Sequence, residues 1–222
     1  MSSTGDIQLG GGPCSTAIIA PETPEPDEFR DMLEADVREV FDGDGFAANV
    51  WDPLSHKWIS RVPFRFAFID APEMQQPFAN EAKEYLQTLI GGTRIRLALI
   101  GKQSSGYMPL DKYRRLLCMG YLTEDIQTGG VEYFQNGKCD AGTVRRARPV
   151  TRNIELEMLV NGWAWVMKQY AFDREADYFA AQEDARRNRR GLWSMENPEA
   201  PWKFKEKQKR RRIAAQRQPN LF

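Results

Sequence analysis

Histidine is nearly absent from this chain of 222 residues, in which His56 is the only one. Without a second imidazole, a histidine-clustered zinc site is excluded, and a Ser-His-Asp or Cys-His catalytic machine would depend on His56 alone, in a polar stretch. Cysteine is also scarce: Cys14, Cys118 and Cys139 are far apart and odd in number, which argues against a disulfide framework or a CxxC zinc site. Any chemistry must therefore come from carboxylates, arginines, lysines, tyrosines or a bound metal.

Long apolar segments are missing as well. No run approaches the roughly eighteen apolar residues of a membrane-spanning helix, and the first residues lack the basic start and apolar stretch of a secretory signal. We therefore predict a cytoplasmic protein with no membrane partner. The length and the 41% hydrophobic content suit one globular domain with extensions, and the sequence carries no signal for oligomeric state.

The formal net charge is zero, but the charges are unevenly distributed. Residues 1–36 carry eight acidic residues and one basic residue, whereas residues 203–222 carry eight basic residues and one acidic residue. Glycines and prolines without apolar periodicity indicate a flexible acidic leader over 1–33. We predict one domain over 34–202, followed by a basic tail over 203–222 that either contacts nucleic acid or is a solvated end.

Hydrophobic periodicity predicts a β-rich half followed by a more helical half. Apolar residues alternate or cluster as they do in strands at 37–40, 46–51, 62–69, 95–99 and 116–122. Helical spacing predicts three helices, near 80–90, 153–162 and 172–191. Asn153 is a suitable cap for the second helix. Residues 123–152 interrupt this order, and their glycines and basic cluster predict a long loop or a hairpin insertion.

Polar residues concentrate near the predicted strand ends. Asp42 and Asp44 are two positions apart, so an extended backbone points both side chains the same way, and a strand ending at Asp70 can bring a third carboxylate beside them. Such an all-oxygen cluster suits a hard divalent cation; calcium tolerates loose geometry, whereas magnesium demands a tight octahedron. Taken alone, the segment around Asp42 and Asp44 also fits a simple polar turn.

Arginines near these carboxylates favour a phosphate site. A phosphodiester is an anion whose hydrolysis adds charge in the transition state, and two guanidinium groups with a cation can stabilise that charge. Arg65 and Arg115 are suited to form this clamp, and Glu73 is suited to orient or deprotonate the attacking water. In isolation, Arg65 also fits a salt bridge at a barrel rim, and Glu73 fits a surface acid.

A shared site for Arg65 and Asp70 makes a geometric demand. The two residues are an odd number of positions apart, so an unbroken strand would send their side chains to opposite faces. We therefore predict that the strand bends, bulges or ends before Asp70. A regular strand through Asp70 would exclude the shared site.

Five ordered segments resemble the staphylococcal nuclease, or thermonuclease, family. They are VFDGDG (40–45), FRFAFIDAPE (64–73), DKYRR (111–115), LVNGWA (159–164) and RGLW (190–193). The resemblance spans about residues 35–202. It implies an α+β fold, namely a five-stranded OB-fold β-barrel with three helices (SNase-like). It also implies a calcium-dependent nuclease that hydrolyses phosphodiester bonds of DNA, single- or double-stranded, and of RNA.

The resemblance also implies a metal site. Asp44 and Asp70 resemble the family's side-chain calcium ligands, and the carbonyl of Ala71 resembles its backbone ligand. Asp42 resembles an outer acid near the metal. The family usually has threonine where this chain has Gly45, so a hydroxyl near the metal is missing and weaker calcium binding is expected.

Further roles follow from the same resemblance. Glu73 resembles the family's general base or water-orienting residue, and Arg65 and Arg115 resemble its phosphate-binding pair. Lys112 and Tyr113 match residues that contact a terminal phosphate of a bound nucleotide.

The chain departs from the family again just before Arg115. The family usually has glycine where Arg114 stands, which predicts a shifted Arg115 or an added phosphate contact.

Two other functions remain compatible with the sequence. One is a catalytically weak or silent OB-fold module that binds nucleic acid. The other is a structural module whose charged ends recruit partners.

Overall fold

A computed structural model describes residues 32–52, 54–100, 110–135, 138–167, 172 and 174–217, with 125–135, 138–148 and 217 described by their backbone alone. The predicted acidic leader therefore lies outside the described residues, except for Met32 and Leu33. Asn136 and Gly137 of the predicted insertion lie outside them too. In the ranges just given, no helix is long and apolar enough to cross a membrane.

Strands and helices follow one another in the order predicted, with additions. In chain order the described elements are β1 (Leu33–Val40), β2 (Gly45–Asp52), β3 (Lys57–Phe66), β4 (Ile69–Asp70), α1 (Ala79–Ile90), β5 (Arg94–Leu99), β6 (Leu116–Gln135), β7 (Lys138–Asn153), α2 (Ile154–Val160), β8 (Trp165–Val166), α3 (Glu175–Arg187) and α4 (Pro201–Arg217). A 3₁₀ turn at Gly191–Ser194 precedes α4.

Five of these strands close into a mixed barrel. β1, β2 and β3 form an antiparallel meander, and β1 also pairs antiparallel with β5. β6 pairs antiparallel with β5 and parallel with β3, which closes the barrel. The predicted five-stranded barrel with helices is confirmed.

The predicted insertion and the predicted basic tail both have regular secondary structure. The insertion is a hairpin rather than a loop, because β7 pairs antiparallel with β6 along most of its length. The sequence pattern predicts no fourth helix, yet α4 begins at Pro201 and continues through the basic residues of the predicted tail. Strand β1 begins at Leu33, one residue before the predicted domain boundary.

An aromatic and aliphatic core fills the barrel. Phe46, Phe64 and Phe66 are fully buried, and the rings of Phe46 and Phe64 stack with centroids 5.5 Å apart. Helix α1 adds Leu86 and Ile90, which are four positions apart and both fully buried. Each such side chain contributes roughly 1.5–3 kcal/mol through burial of its apolar surface. This core stabilises the barrel, at one end of which the polar residues lie.

A buried glutamate on α2 fixes the bend between β3 and β4. Asn153 caps α2 as predicted, accepting a hydrogen bond from the Leu156 N–H at 2.9 Å. In the first turn of this helix, Glu155 accepts from the N–H of Phe68 at 2.9 Å and from the hydroxyl of Tyr178 at 2.8 Å. Since Phe68 lies between β3 and β4, the carboxylate holds the chain where it changes direction.

Two glycines allow α2 to pack against the 3₁₀ turn. The N–H of Leu192 donates to the carbonyl of Gly162 at 2.9 Å. Gly162 has φ +75°, and a Cβ there would collide with the carbonyl oxygen of Arg190; Gly191 has φ +51° and would collide with Gly162 in the same way. The glycines of the LVNGWA and RGLW segments therefore permit a close backbone contact that a side chain would prevent.

Candidate active site

Three aspartates meet at one end of the barrel, where the β1–β2 turn approaches β4. Oδ1 of Asp42 accepts a hydrogen bond from the N–H of Asp44 at 3.1 Å, which orders the turn. Oδ2 of Asp44 accepts from the N–H of Ala71 at 3.1 Å, which ties the turn to the residue after Asp70. The structure thus brings together all four residues expected at the metal site.

Arg65 lies between two of these aspartates. Its Nη2 donates to Oδ2 of Asp44 at 2.9 Å and to Oδ1 of Asp70 at 2.6 Å, and the residue is 8% exposed. Burial works against the guanidinium charge, but Asp44 and Asp70 outweigh it and raise the pKa of Arg65 above its ordinary value. The predicted interruption of the strand is confirmed, since β3 ends at Phe66 and the chain bends before β4.

The carboxylates carry more negative charge than their surroundings favour. Burial, followed by the negative charge of Asp44, raises the pKa of Asp42 to about 7. The same two causes, in the same order, raise the pKa of Asp70 to about 6. Carboxylates that crowd together in a buried place resist ionisation unless a cation joins them. Nearby positive charge therefore favours the ionised form of these carboxylates.

The cluster offers oxygen donors of the kind that calcium takes, but they are not arranged as a ready-made metal site. In the described parts of the chain, no group of three or more histidine, cysteine or acidic side chains is arranged so that it could hold a metal ion. However, cationic nitrogen atoms of Arg65 and Lys205 already lie against the carboxylate oxygens of Asp70, so the cluster attracts positive charge. Carboxylate and carbonyl oxygens are the ligands that calcium takes.

Arg115 approaches the cluster across Gly45. Asp111 holds this arginine twice: Oδ2 accepts from the Arg115 Nε at 2.8 Å, and Oδ1 accepts from its N–H at 2.9 Å. A Cβ on Gly45 would lie 2.9 Å from Oδ1 of Asp42 and 3.0 Å from Nη1 of Arg115. The departure from threonine at this position therefore leaves the space into which a carboxylate and a guanidinium group extend.

The turn before Arg115 is solvent-exposed and carries the expected substrate residues. The ring of Tyr113 is 67% exposed, with Lys112 Nζ 4.9 Å and the Arg115 guanidinium carbon 5.6 Å from its centroid. Arg114 has φ +64°, a left-handed conformation that explains why glycine suits this position. Lys112 and Tyr113 thus lie beside Arg115, at the edge of the site.

Glu73 contacts the site through a lysine that no sequence motif marks. Nζ of Lys205, on α4, lies 2.7 Å from Oε1 of Glu73 and 3.2 Å from Oδ1 of Asp70. One ammonium group thereby joins the expected water-activating residue to an expected metal ligand. Lys205 belongs to a run of basic residues with no pattern to single it out. The role of Asp111 was also missed, because the spacing of four from Arg115 marks a pair only on a helix and these residues lie in a turn.

His56 lies away from this site, and Cys118 contacts it only at the backbone carbonyl of Arg65, to which its Sγ donates. His56 lies in the turn between β2 and β3, beside the ring of Trp51, whereas Arg65 lies near the other end of β3. Cys118 is a buried free thiol. The chemistry of the site therefore depends on carboxylates and basic residues.

Comparison with known proteins supports the fold and assigns the family. Residues 63–195 match the model of the family described as staphylococcal nuclease homologue. The chain belongs to the staphylococcal nuclease family. The matched range includes Arg65, Asp70, Glu73 and Arg115, whereas Asp44 precedes it and α4 follows it.

Named nucleases are among the relatives. The chain is 26% identical over 191 residues to the micrococcal nuclease of Shigella flexneri, covering 86% of this chain and 88% of that protein. It is 34% identical over 148 residues to an "uncharacterized endonuclease" of Haemophilus influenzae, covering 66% of this chain and 62% of the relative. A staphylococcal-like nuclease of Arabidopsis thaliana is 26% identical over 141 residues, covering 64% and 32%. The chain thus spans less than two thirds of the latter two relatives.

Proposed function

We propose that this protein is a calcium-dependent nuclease that hydrolyses phosphodiester bonds of DNA and RNA. One observation carries the proposal: buried Arg65 binds both Asp44 and Asp70 at the barrel end to which Arg115 also extends. Two guanidinium groups beside a bound cation can stabilise the charge of a phosphodiester transition state, and the two arginines and the neighbouring carboxylates support this assignment. Family membership supports the reaction class.

Calcium would be held by Asp44, Asp70, Asp42 and the carbonyl of Ala71, and when bound it would neutralise the phosphate and polarise it for attack. One oxygen of each aspartate accepts hydrogen bonds in the structure: Oδ1 of Asp42 and Oδ2 of Asp44 accept from backbone N–H groups. Oδ2 of Asp44 and Oδ1 of Asp70 accept from Arg65, and Oδ1 of Asp70 also accepts from Lys205.

The two arginines bind the phosphate oxygens in this proposal. Asp111 occupies the Nε of Arg115, and no described residue accepts a hydrogen bond from its terminal nitrogens, which extend past Gly45. A guanidinium group fixed in this way offers a rigid fork to two phosphate oxygens. Arg65 adds a second positive charge in a buried setting, where electrostatic stabilisation is stronger than in water.

Glu73 orients and deprotonates the attacking water in this proposal. Its N–H donates to Oε1 of Gln76 at 2.9 Å and its carbonyl accepts from the Gln76 N–H at 2.7 Å, so its backbone is anchored at both polar groups. Lys112 and Tyr113 bind a terminal phosphate at the exposed edge of the site. The side chain of Glu73 is partly exposed, which leaves it accessible to water.

Cleavage assays with defined metals test the function. Labelled single-stranded DNA, duplex DNA and RNA are each incubated with the full chain in calcium, in magnesium or in EDTA. We expect cleavage in calcium, little in magnesium and none in EDTA, because a flexible carboxylate site suits the larger ion. Equal cleavage in EDTA would contradict the metal requirement. Binding without cleavage in every condition would instead favour the nucleic-acid-binding module.

A further inference from the structure

Helix α4 is a strongly basic element attached to the candidate active site. It carries eight basic residues and one acidic residue, Glu206. Near its start, Lys205 contacts Glu73 and Asp70, and Gln208 donates to Oε1 of Gln75 at 3.1 Å. Residues 209–216 are all exposed, so the rest of the helix extends away from the domain with its surface open.

One face of this exposed part continues from the active site. With 3.6 residues per turn, Lys209 and Arg212 point within about 40° of the direction of Lys205, and they lie about 6 and 10 Å further along the axis. Neither forms an ion pair with any residue that the structure describes, whereas Arg210 pairs with Glu206. Lys205, Lys209 and Arg212 form a row of positive charge whose first member contacts Glu73.

This row is unfavourable without an anion. Like charges three or four positions apart destabilise a helix, and α4 has no apolar stripe that packing could use to compensate. A chain of phosphates passing along the helix would neutralise the row and release counterions. A single nucleic-acid strand supplies such a chain of phosphates. The part of the strand that leaves the cleavage site would run past the adjoining helix.

We propose that α4 binds the phosphate backbone of the nucleic-acid strand that occupies the candidate active site, with Lys209 and Arg212 as the phosphate ligands beyond the cleavage position. The inference rests on the proposed function for the identity of the strand. It extends the substrate site past residue 195, where the family match ends. The site therefore favours single strands long enough to reach from Glu73 along the helix.

A pair of matched double variants tests the proposal in the full chain. Lys209→Ala/Arg212→Ala removes one lysine and one arginine from the face that continues from Lys205. Lys203→Ala/Arg211→Ala removes the same two residue types from positions that point more than about 110° away from the direction of Lys205. Alanine has high helix propensity, so both variants keep α4, which circular dichroism verifies.

The readout is the anisotropy of a fluorescein-labelled oligothymidylate of about 20 nucleotides in EDTA, over about 50 to 200 mM potassium chloride. We expect the first variant to bind at least about tenfold more weakly at low salt and to flatten the slope of log Kd against log salt by about 1.4, at about 0.7 per phosphate contact. The control should change the slope by less than half as much.

Equal effects of the two double variants would overturn the proposal, and so would the absence of any binding by the unmodified chain. Tighter binding by Lys209→Ala/Arg212→Ala would also overturn it, because α4 would then obstruct the site. Cleavage of the same oligothymidylate by the unmodified chain in calcium is measured in parallel. A failure of that cleavage would count against the proposed nuclease function, while binding in EDTA still decides the role of α4.

Discussion

Arg65 Nη2 and Asp70 Oδ1 lie 2.6 Å apart, although the parity of their positions would place them on opposite faces of a regular strand. The bend between β3 and β4 removes that conflict. The bend is held from outside the barrel, because Glu155 accepts a hydrogen bond from the N–H of Phe68, and the N–H of Met167 donates to the Phe68 carbonyl at 2.8 Å. A helix that is not part of the cluster thereby positions its central ion pair.

Glu155 makes stability depend on pH. Complete burial raises its pKa to about 7 from an ordinary 4.5, despite the hydrogen bonds from Phe68 and Tyr178. The titratable groups that face it are Tyr178 on α3, Arg65 on β3 and the thiol of Cys118 on β6, of which only Arg65 is charged. Because the folded state holds the proton more tightly, this contribution is complete below pH 4.5 and is lost as the pH rises to about 7.

The Glu155→Gln variant should therefore be less sensitive to pH. Glutamine can still accept from the Phe68 N–H and can donate to the Tyr178 hydroxyl, but it has no charge to bury. In urea unfolding across this pH range, the decrease in the free energy of unfolding should be smaller in the variant by roughly 3 kcal/mol. Parallel profiles for the variant and the unmodified protein would contradict the assignment of this decrease to Glu155.

Gly162→Ala should destabilise the protein far more than Gly92→Ala. Both glycines have a left-handed φ, +75° and +72°, so alanine is strained by about 1–2 kcal/mol at either position. A Cβ at Gly92 meets open space, whereas one at Gly162 collides with the Arg190 carbonyl. We expect a loss of more than about 3 kcal/mol for Gly162→Ala, measured by thermal or urea unfolding. Similar losses for the two variants would refute the close backbone contact.

Asp44→Asn should weaken calcium binding. Asp44 lies at the centre of the cluster, bound to Arg65 and to the Ala71 N–H, and its carboxylate charge is lost in the variant. Titration calorimetry with calcium chloride should show affinity at least about tenfold lower. Asp52→Asn serves as the control, since Asp52 is at the other end of β2 and should leave the isotherm unchanged. An unchanged isotherm for Asp44→Asn would place the calcium site elsewhere.

Much of the barrel could be predicted because periodicity marks a half-buried strand. The alternation Val62, Phe64, Phe66 identified β3, and the odd spacing of Arg65 and Asp70 predicted that the strand would be interrupted. The residue that holds the bend could not be predicted, because an acid in a helical segment normally faces solvent. Glu155 is buried only because Phe68 and Tyr178 meet it from distant parts of the chain.

Helix α4 could not be predicted from the sequence. Residues 203–217 have neither an apolar stripe nor a distinctive capping residue, so sequence patterns gave no helix there. Its placement depends on single contacts, of which Lys205 with Glu73 and Gln208 with Gln75 are examples. The carboxylate–arginine cluster was accessible to sequence reasoning because its members lie in short motifs. Lys205 was not, because every second or third residue around it is also basic.

Removal of the Arg115 guanidinium tests the central claim most directly. Arg115 lies beside the cluster but does not pair with Asp44 or Asp70, so its loss should leave the fold intact, unlike the loss of buried Arg65. Arg114→Ala is the adjacent control, with the same charge change in the same turn. The measurement is kcat for single-stranded DNA in calcium, with melting temperatures recorded alongside. We predict that Arg115→Ala lowers kcat by at least about a hundredfold, or about 3 kcal/mol, while Arg114→Ala stays within about threefold. A near-normal kcat for folded Arg115→Ala would contradict the proposed phosphodiester site.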